Sequence, residues 1–211
     1  LSEILRAAAG QPSACLDRDV YYTYNRPYQE ITSYLDGVAA FLVDLASHGL
    51  LVLLDVHVSA PGQWPDDGKL SSEADLETAW LHLADRFCSP HEHWHVFGAD
   101  LKNEPHGMHW GSSPENAPEG LYEASQRWDA IASRIASTVY ERCPRWVYFV
   151  EGVDHCKQGS RMFGCGDADV PKRKNCPCPF PSAAGQDPSV PASFWGENLQ
   201  GVKTHPVRVS D

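Results

Sequence analysis

The run LLVLLDVH, residues 50–57, decides the fold class, because it is almost continuously apolar up to its polar end. Parallel strands covered by helices have runs of this kind, whereas a strand with one face in water alternates apolar and polar residues. Gly49 stands directly before the run and suits the C-terminal cap of a helix. The stretch therefore predicts a helix that ends near Gly49 and then a parallel strand covered on both faces.

The same order of helix and strand occurs three times along the chain. Apolar residues at three-and-four spacing predict helices over residues 31–45, 73–87 and 120–141, with Trp80 and Trp128 in the core. Apolar runs predict strands over residues 50–57, 96–101 and 146–150. Such alternation implies parallel pairing through right-handed crossovers.

The fold class is therefore α/β, either as a small open sheet or as part of a (β/α)8 TIM barrel. A barrel with this spacing between units would need about 380 residues. The 211 residues of this chain can hold about half of one. We expect a single, partial domain over residues 1–211, interrupted by a long loop over residues 152–192.

Composition and charge exclude several classes of protein. The chain is 42% hydrophobic and has a formal net charge of −11, which suits one folded core and disfavours a nucleic-acid partner. Its longest apolar runs are too short to span a bilayer, so no membrane partner is expected. The oligomeric state cannot be predicted from these features.

The loop over residues 152–192 is rich in Cys, Pro and Gly and holds four of the seven cysteines: Cys156, Cys165, Cys176 and Cys178. Their spacing lacks the paired C-x2-C of common zinc sites, so disulfides are favoured over a metal. Disulfides indicate an oxidising compartment, and we expect an extracellular, secreted protein. The first residue is Leu and no export signal follows it, so we also expect a piece of a longer product.

Three alternating histidines, His91, His93 and His95, precede the second strand. In an extended segment they would share a face and could hold a metal. They lie at the amino end of the strand, away from the carboxyl ends where parallel α/β folds bind ligands. We therefore interpret them as surface histidines in a loop and predict no metal site.

Polar residues follow each predicted strand. The first strand ends in Asp55-Val56-His57, the second in Asn103-Glu104-Pro105-His106 and the third in Glu151. The carboxyl ends of parallel strands meet at one rim, so these groups are expected to converge. Asp55 is expected to bond backbone groups and not substrate. Indole rings in the loops beyond, from Trp64, Trp110 and Trp195, could stack on sugar rings, although packing is an equal alternative for Trp110.

Four segments together resemble glycoside hydrolase family 5, the cellulase family. GADLKNEPHG, residues 98–107, resembles the family's fourth-strand motif. LLDVH at 53–57 resembles its third strand, and FVEGV at 149–153 its fifth. FWGENLQGV at 194–202 resembles the segment that leads into the sixth, although Glu197 replaces the usual Gly. The Cys-rich loop has no counterpart in this pattern.

The resemblance implies a retaining glycoside hydrolase that cleaves β-1,4-glucan by double displacement, like an endoglucanase, and that needs no cofactor. Glu104 falls on the general acid/base, Asn103 on the residue that holds the sugar 2-hydroxyl, and His57 on an active-site histidine. Glu151, Trp64 and Trp110 are further candidates for substrate binding. The family's nucleophile has no counterpart in these 211 residues, so it is expected outside this chain.

Two other functions stay open at this point. A catalytically incomplete half-barrel could bind carbohydrate without cleaving it, or could be a non-functional fragment with open sheet edges. A metal-binding loop protein built on the cysteines is the weakest of the three.

Overall fold

A computed structural model of the chain describes residues 1–12, 31, 33–57, 72–105, 108, 110–111, 127–153, 199 and 201–209. Residues 154–192 of the Cys-rich loop, with its four cysteines, lie outside these residues. The predictions made for Trp64, His106, Trp195 and Glu197 also fall outside them.

The helices and strands alternate as the sequence predicts. The elements are α1 Ser2–Ala8, α2 Tyr34–Ser47, β1 Val52–Asp55, α3 Glu73–Phe87, β2 Val96–Asp100, α4 Trp128–Arg142 and β3 Val147–Phe149. Helix α1 has no counterpart among the sequence predictions. The hydroxyls of Ser33 and Ser72 cap α2 and α3 by accepting backbone N–H groups three residues on.

Gly49 follows the end of α2 with a φ of 72°, a backbone conformation that glycine adopts without steric cost. This conformation turns the chain from α2 into β1, so the cap predicted at this position is confirmed.

The three strands form one parallel sheet in the order β1-β2-β3. Leu54 pairs with Ala99 and Asp55 with Asp100, while Ala99 also pairs with Tyr148. Sequential order is what successive right-handed crossovers produce. The prediction of parallel strands alternating with helices is confirmed.

The core lies between the sheet and the helices α3 and α4, which pack against each other. Trp80 of α3 and Trp128 of α4 are fully buried, as predicted. Their indole N–H groups donate to the carbonyl oxygens of Leu101 and Glu151, both at 2.9 Å. The two helices thus hold the backbone just beyond the carboxyl ends of β2 and β3.

The opposite face of the sheet is only partly covered within the described residues. Leu53 and Phe149 are 37% and 40% exposed. The expectation that β1 is covered on both faces is therefore wrong for this part of the chain. Gly98 lies between these two side chains, and an added Cβ would come within 2.6 Å of the Val147 carbonyl oxygen. Strands β2 and β3 approach each other closely because position 98 has no side chain.

A disulfide joins Cys88 to Cys143. These residues cap the C-termini of α3 and α4, so the bond ties together the two helices that cover the sheet. The pairing is not predicted from the sequence, in which the four cysteines clustered in the loop over residues 152–192 stand out instead.

The prediction of surface histidines before β2 is wrong for two of the three. His91 is exposed, but His93 and His95 are 8% and 0% exposed. Their rings pack edge-to-face against each other and against Phe87 and Trp94. The aromatic surroundings explain the burial, because a neutral imidazole packs much like an aromatic ring.

Burial of these two histidines predicts a loss of stability in acid. Burial lowers the pKa of both His93 and His95, and Arg145 lowers the pKa of His95 further. The folded protein therefore binds fewer protons than the unfolded chain below about pH 6.5, the ordinary pKa of histidine. We expect the free energy of unfolding to lose this contribution as the pH falls below that value.

Urea unfolding between pH 4.5 and 8 measures the effect. A double variant, His93→Gln with His95→Gln, should show a smaller loss in acid than the wild type. Equal slopes in the two proteins would contradict the assignment to these residues.

Candidate active site

The carboxyl ends of the three strands bring together most of the predicted site residues. The backbone N–H of Glu104, beyond β2, donates to Oε2 of Glu151, beyond β3, at 2.8 Å. Both side chains are half-buried. His57 lies beyond β1 and is exposed. Two of the predicted residues, Glu104 and Glu151, are thus in direct contact.

Glu104 has an unusual backbone conformation. Its φ is 44°, which among the described residues is the single positive value outside glycine. The next residue is Pro105, and residues before proline prefer extended backbone. Strain of this kind costs about 1–3 kcal/mol per residue and is concentrated at functional sites. The hydrogen bond to Glu151 holds Glu104 in this conformation.

His57 is paired with Asp55, which the sequence analysis assigned to backbone contacts. Nδ1 of His57 lies 2.9 Å from Oδ2 of Asp55. The carboxylate therefore orients the imidazole ring and leaves Nε2 as the nitrogen directed away from the pair. Asp55 therefore contacts a side chain where a backbone group was expected, because residues 55 and 57 lie on the same side of an extended segment.

Lys102 is buried and joins the ends of β1 and β2. Its Nζ donates to the carbonyl oxygens of His57, at 2.8 Å, and Asn103, at 3.1 Å. The backbone N–H of Asn103 also donates to the Val56 carbonyl at 3.3 Å. Asn103 itself is half-buried. The ammonium places a positive charge beneath a rim that is otherwise rich in carboxyl groups.

Asp100 is a member of the site that the sequence analysis missed. It is the last residue of β2, and its Oδ1 is buried without a hydrogen-bond partner among the described residues. Burial, with the negative charges of Glu151 and Asp55, raises the pKa of Asp100 to about 7. The pairing of β1 with β2 could have indicated that Asp100 belongs to the site, since Asp100 lies opposite Asp55 in the register.

Trp110 is packed into the protein. It is 9% exposed, and its indole N–H donates to the His205 carbonyl at 2.8 Å. A Cβ added at Gly201 would come within 2.3 Å of the ring. The segment at residues 201–209 therefore packs on Trp110, and stacking of this ring on a sugar stays a prediction.

Within the described ranges, no group of three or more His, Cys, Asp or Glu side chains is placed to hold a metal ion. In the same residues, no helix combines the length and apolar character needed to cross a membrane.

The rim can therefore perform proton chemistry on a bound hydroxyl or ether oxygen. Glu104 supplies a carboxyl group on a constrained backbone, and the Asp55–His57 pair supplies an oriented imidazole. Asn103 supplies amide groups that can hydrogen-bond a hydroxyl.

Curated relatives and solved structures resemble this chain. It is 28% identical over 169 residues to an endoglucanase of Paenibacillus polymyxa, covering 75% of this chain and 30% of that protein. It is 30% identical over 151 residues to the major extracellular endoglucanase of Xanthomonas campestris pv. campestris, covering 67% and 27%. The chain thus spans about 30% of the length of these relatives.

A cellotetraose complex of the endocellulase from Pyrococcus horikoshii superposes with a TM-score of 0.59 at 26% identity, covering 88% of this chain and 44% of that one. The catalytic domain of the Xanthomonas endoglucanase superposes with a TM-score of 0.60 at 23% identity, covering 94% and 45%, which shows a shared fold. The model of the cellulase family, glycosyl hydrolase family 5, matches residues 4–211. The chain therefore belongs to glycosyl hydrolase family 5.

Proposed function

We propose that the protein containing this chain hydrolyses β-1,4-glucan with retention of configuration, and that Glu104 is the general acid/base. The observation that carries the proposal is the position of Glu104, held on a strained backbone at the carboxyl end of β2. Conserved chemistry in parallel barrels lies at this end of the strands. The endoglucanase relatives and the cellotetraose complex of a similar structure support a cellulose-type substrate.

In this mechanism Glu104 first donates a proton to the departing glycosidic oxygen while a second carboxylate attacks the sugar. It then removes a proton from the water that hydrolyses the glycosyl-enzyme intermediate. The attacking carboxylate lies about 5–5.5 Å from the acid/base in retaining enzymes. We place this nucleophile outside the present chain.

Glu151 is a poor candidate for that nucleophile. Its Oε2 accepts the backbone N–H of Glu104 at 2.8 Å. A nucleophile needs an oxygen directed at the anomeric carbon, whereas Glu151 is engaged with the protein. We therefore assign it a supporting role in the site.

Substrate contacts are proposed for the groups around Glu104. Asn103 would hydrogen-bond the 2-hydroxyl, and the imidazole of His57 would contact a hydroxyl in the same subsite. Trp64 and Trp110 are proposed as platforms for sugar rings. In this proposal the chain forms part of a (β/α)8 barrel of a secreted enzyme.

The stereochemistry of the product tests the mechanism. The full-length protein is incubated with soluble cello-oligosaccharides, and the first product is observed by proton NMR before mutarotation. We expect the β-anomer at the new reducing end. An α-anomer would exclude retention, and absence of hydrolysis of any β-1,4-glucan, mannan or xylan would exclude the enzyme function itself.

A further inference from the structure

Lys102 is a buried cation in the candidate site, and the proposed reaction does not use it. The residue is 3% exposed. Burial of an ammonium group is unfavourable unless its N–H groups are hydrogen-bonded. Nζ meets this requirement by donating to the carbonyl oxygens of His57, at 2.8 Å, and Asn103, at 3.1 Å. One ammonium group therefore joins a residue beyond β1 to a residue beyond β2.

These bonds lie where the backbone pairing of β1 with β2 becomes weak. Asp55 and Asp100 are the last residues of the two strands, and they pair in the register. Beyond them, the N–H of Val56 lies 3.5 Å from the Asp100 carbonyl, and the N–H of Asn103 lies 3.3 Å from the Val56 carbonyl. Both distances exceed the usual value of about 3.0 Å. The ammonium of Lys102 therefore supplies the shorter link between the two strand ends.

The imidazole of His57 is held at two points. Asp55 holds the ring, because its Oδ2 lies 2.9 Å from Nδ1. Lys102 holds the backbone of the same residue through its carbonyl oxygen. With both contacts in place, the ring has a fixed position relative to β2.

Glu104 has an anchor of its own that does not involve Lys102. Its backbone N–H donates to Oε2 of Glu151 at 2.8 Å. Loss of the ammonium group should therefore displace His57 and Asn103 before it displaces the acid/base. The two effects can be separated by a substrate that does not need the acid.

We propose that Lys102 is a positioning residue for substrate binding: its ammonium sets the distance between His57 and Asn103, which hold hydroxyl groups in one subsite. This inference rests on the proposed function, because both contacts belong to the glucan-cleaving site. The hydrogen bond to the sugar 2-hydroxyl strengthens in the transition state. A displaced Asn103 therefore lowers kcat more than it raises the Michaelis constant.

Lys102→Met tests this role, because methionine has a similar shape but is apolar and cannot donate. The full-length protein is assayed with an aryl cellobioside whose phenol leaves without protonation, so that formation of the intermediate does not need Glu104. We expect this step to slow about 10- to 100-fold, the cost of a displaced binding group. Lys203→Met makes the same change at an exposed position and should keep the wild-type rate.

Lys102→Gln is a second variant for the case in which Lys102→Met does not fold. Glutamine keeps an N–H donor on a shorter side chain, so it can replace the ammonium only in part. Its rate should lie between those of Lys102→Met and the wild type.

A double-mutant cycle separates positioning from general destabilisation. His57→Ala combined with Asn103→Ala removes the side chains that Lys102 positions in this proposal. In that background Lys102→Met should slow the same step by less than about 3-fold, since coupled residues lose their effects together. A purely structural role predicts the same loss in both backgrounds.

Hydrogen exchange gives a readout that does not depend on turnover. In protein labelled with nitrogen-15 asparagine, the amide of Asn103 is assigned by its loss in Asn103→Ala. This N–H donates to the Val56 carbonyl, and the pairing should open more often without the ammonium group. We expect exchange about 10-fold faster in Lys102→Met, the effect of losing a hydrogen bond to a charged group, and no change in Lys203→Met.

The outcomes distinguish this inference from the proposed function. If exchange at Asn103 quickens in Lys102→Met but neither wild type nor variant cleaves glucan, the enzyme function fails and the link between the strand ends stands. If the wild type cleaves glucan but Lys102→Met keeps its rate, or loses the same factor in both backgrounds, the positioning role is overturned.

Discussion

Glu104→Gln should reduce hydrolysis of unactivated β-1,4-glucan by about 10²- to 10⁴-fold in kcat, the usual contribution of a general acid/base. Glutamine preserves the size of the side chain but cannot donate the proton that the glycosidic oxygen needs. The backbone N–H at position 104, which Glu151 accepts, is unchanged by the substitution. The fall in kcat should therefore reflect the missing proton donor and not a distorted site.

The measurement compares two substrates with full-length protein. With cello-oligosaccharides the variant loses acid catalysis in the first step. With an aryl cellobioside whose phenol leaves without protonation, formation of the intermediate should be nearly unaffected. Glu141→Gln, at an exposed position of α4, serves as the control. If formation of the intermediate slows equally with both substrates, Glu104 has a structural role. Full activity of the variant would refute the assignment of Glu104 as acid/base.

Replacing Cys88 and Cys143 together by Ala should lower the free energy of unfolding by about 4 kcal/mol, since the disulfide closes a loop with a sequence separation of 55. In the folded protein the disulfide joins the C-termini of α3 and α4, and in the unfolded chain it restricts the conformations of the loop that it closes. Because α3 and α4 also hold the ends of β2 and β3 through Trp80 and Trp128, weaker helix packing should loosen the rim that carries Glu104.

Urea unfolding of the double variant, the wild type and each single variant measures the effect. Each single variant should lose about as much stability as the double variant, since either one removes the crosslink. The double variant shows the free energy of unfolding of the chain without this disulfide. Identical unfolding midpoints for wild type and double variant would show that the bond contributes nothing.

Local patterns were sufficient for the alternating elements. The helices α2, α3 and α4 and all three strands follow from apolar periodicity, because burial of a helix stripe or a strand face is imposed residue by residue. Helix α1 is short, and its apolar residues are too few to predict a helix from their spacing. The burial of His93 and His95 does not follow from local pattern, because it depends on aromatic neighbours from α3 and from the loop before β2.

The pairings within the site depend on distant parts of the chain. The contact of Glu104 with Glu151 joins residues 47 positions apart. The raised pKa of Asp100 depends on its burial and on the charges of Glu151 and Asp55, which come from other parts of the chain. Pairing of Cys88 with Cys143 required the two helices to pack side by side.

The sequence by itself determined that this chain is a parallel α/β protein and that Glu104 stands at a strand end within a cellulase-type motif. Periodicity and motif spacing are local properties, and they can be read along the chain. Only the tertiary structure decided that Glu104 has a strained backbone held by Glu151 and that Asp100 lies opposite Asp55 in the sheet. Charge interactions and hydrogen bonds depend on distance in space, and the register of neighbouring strands sets that distance.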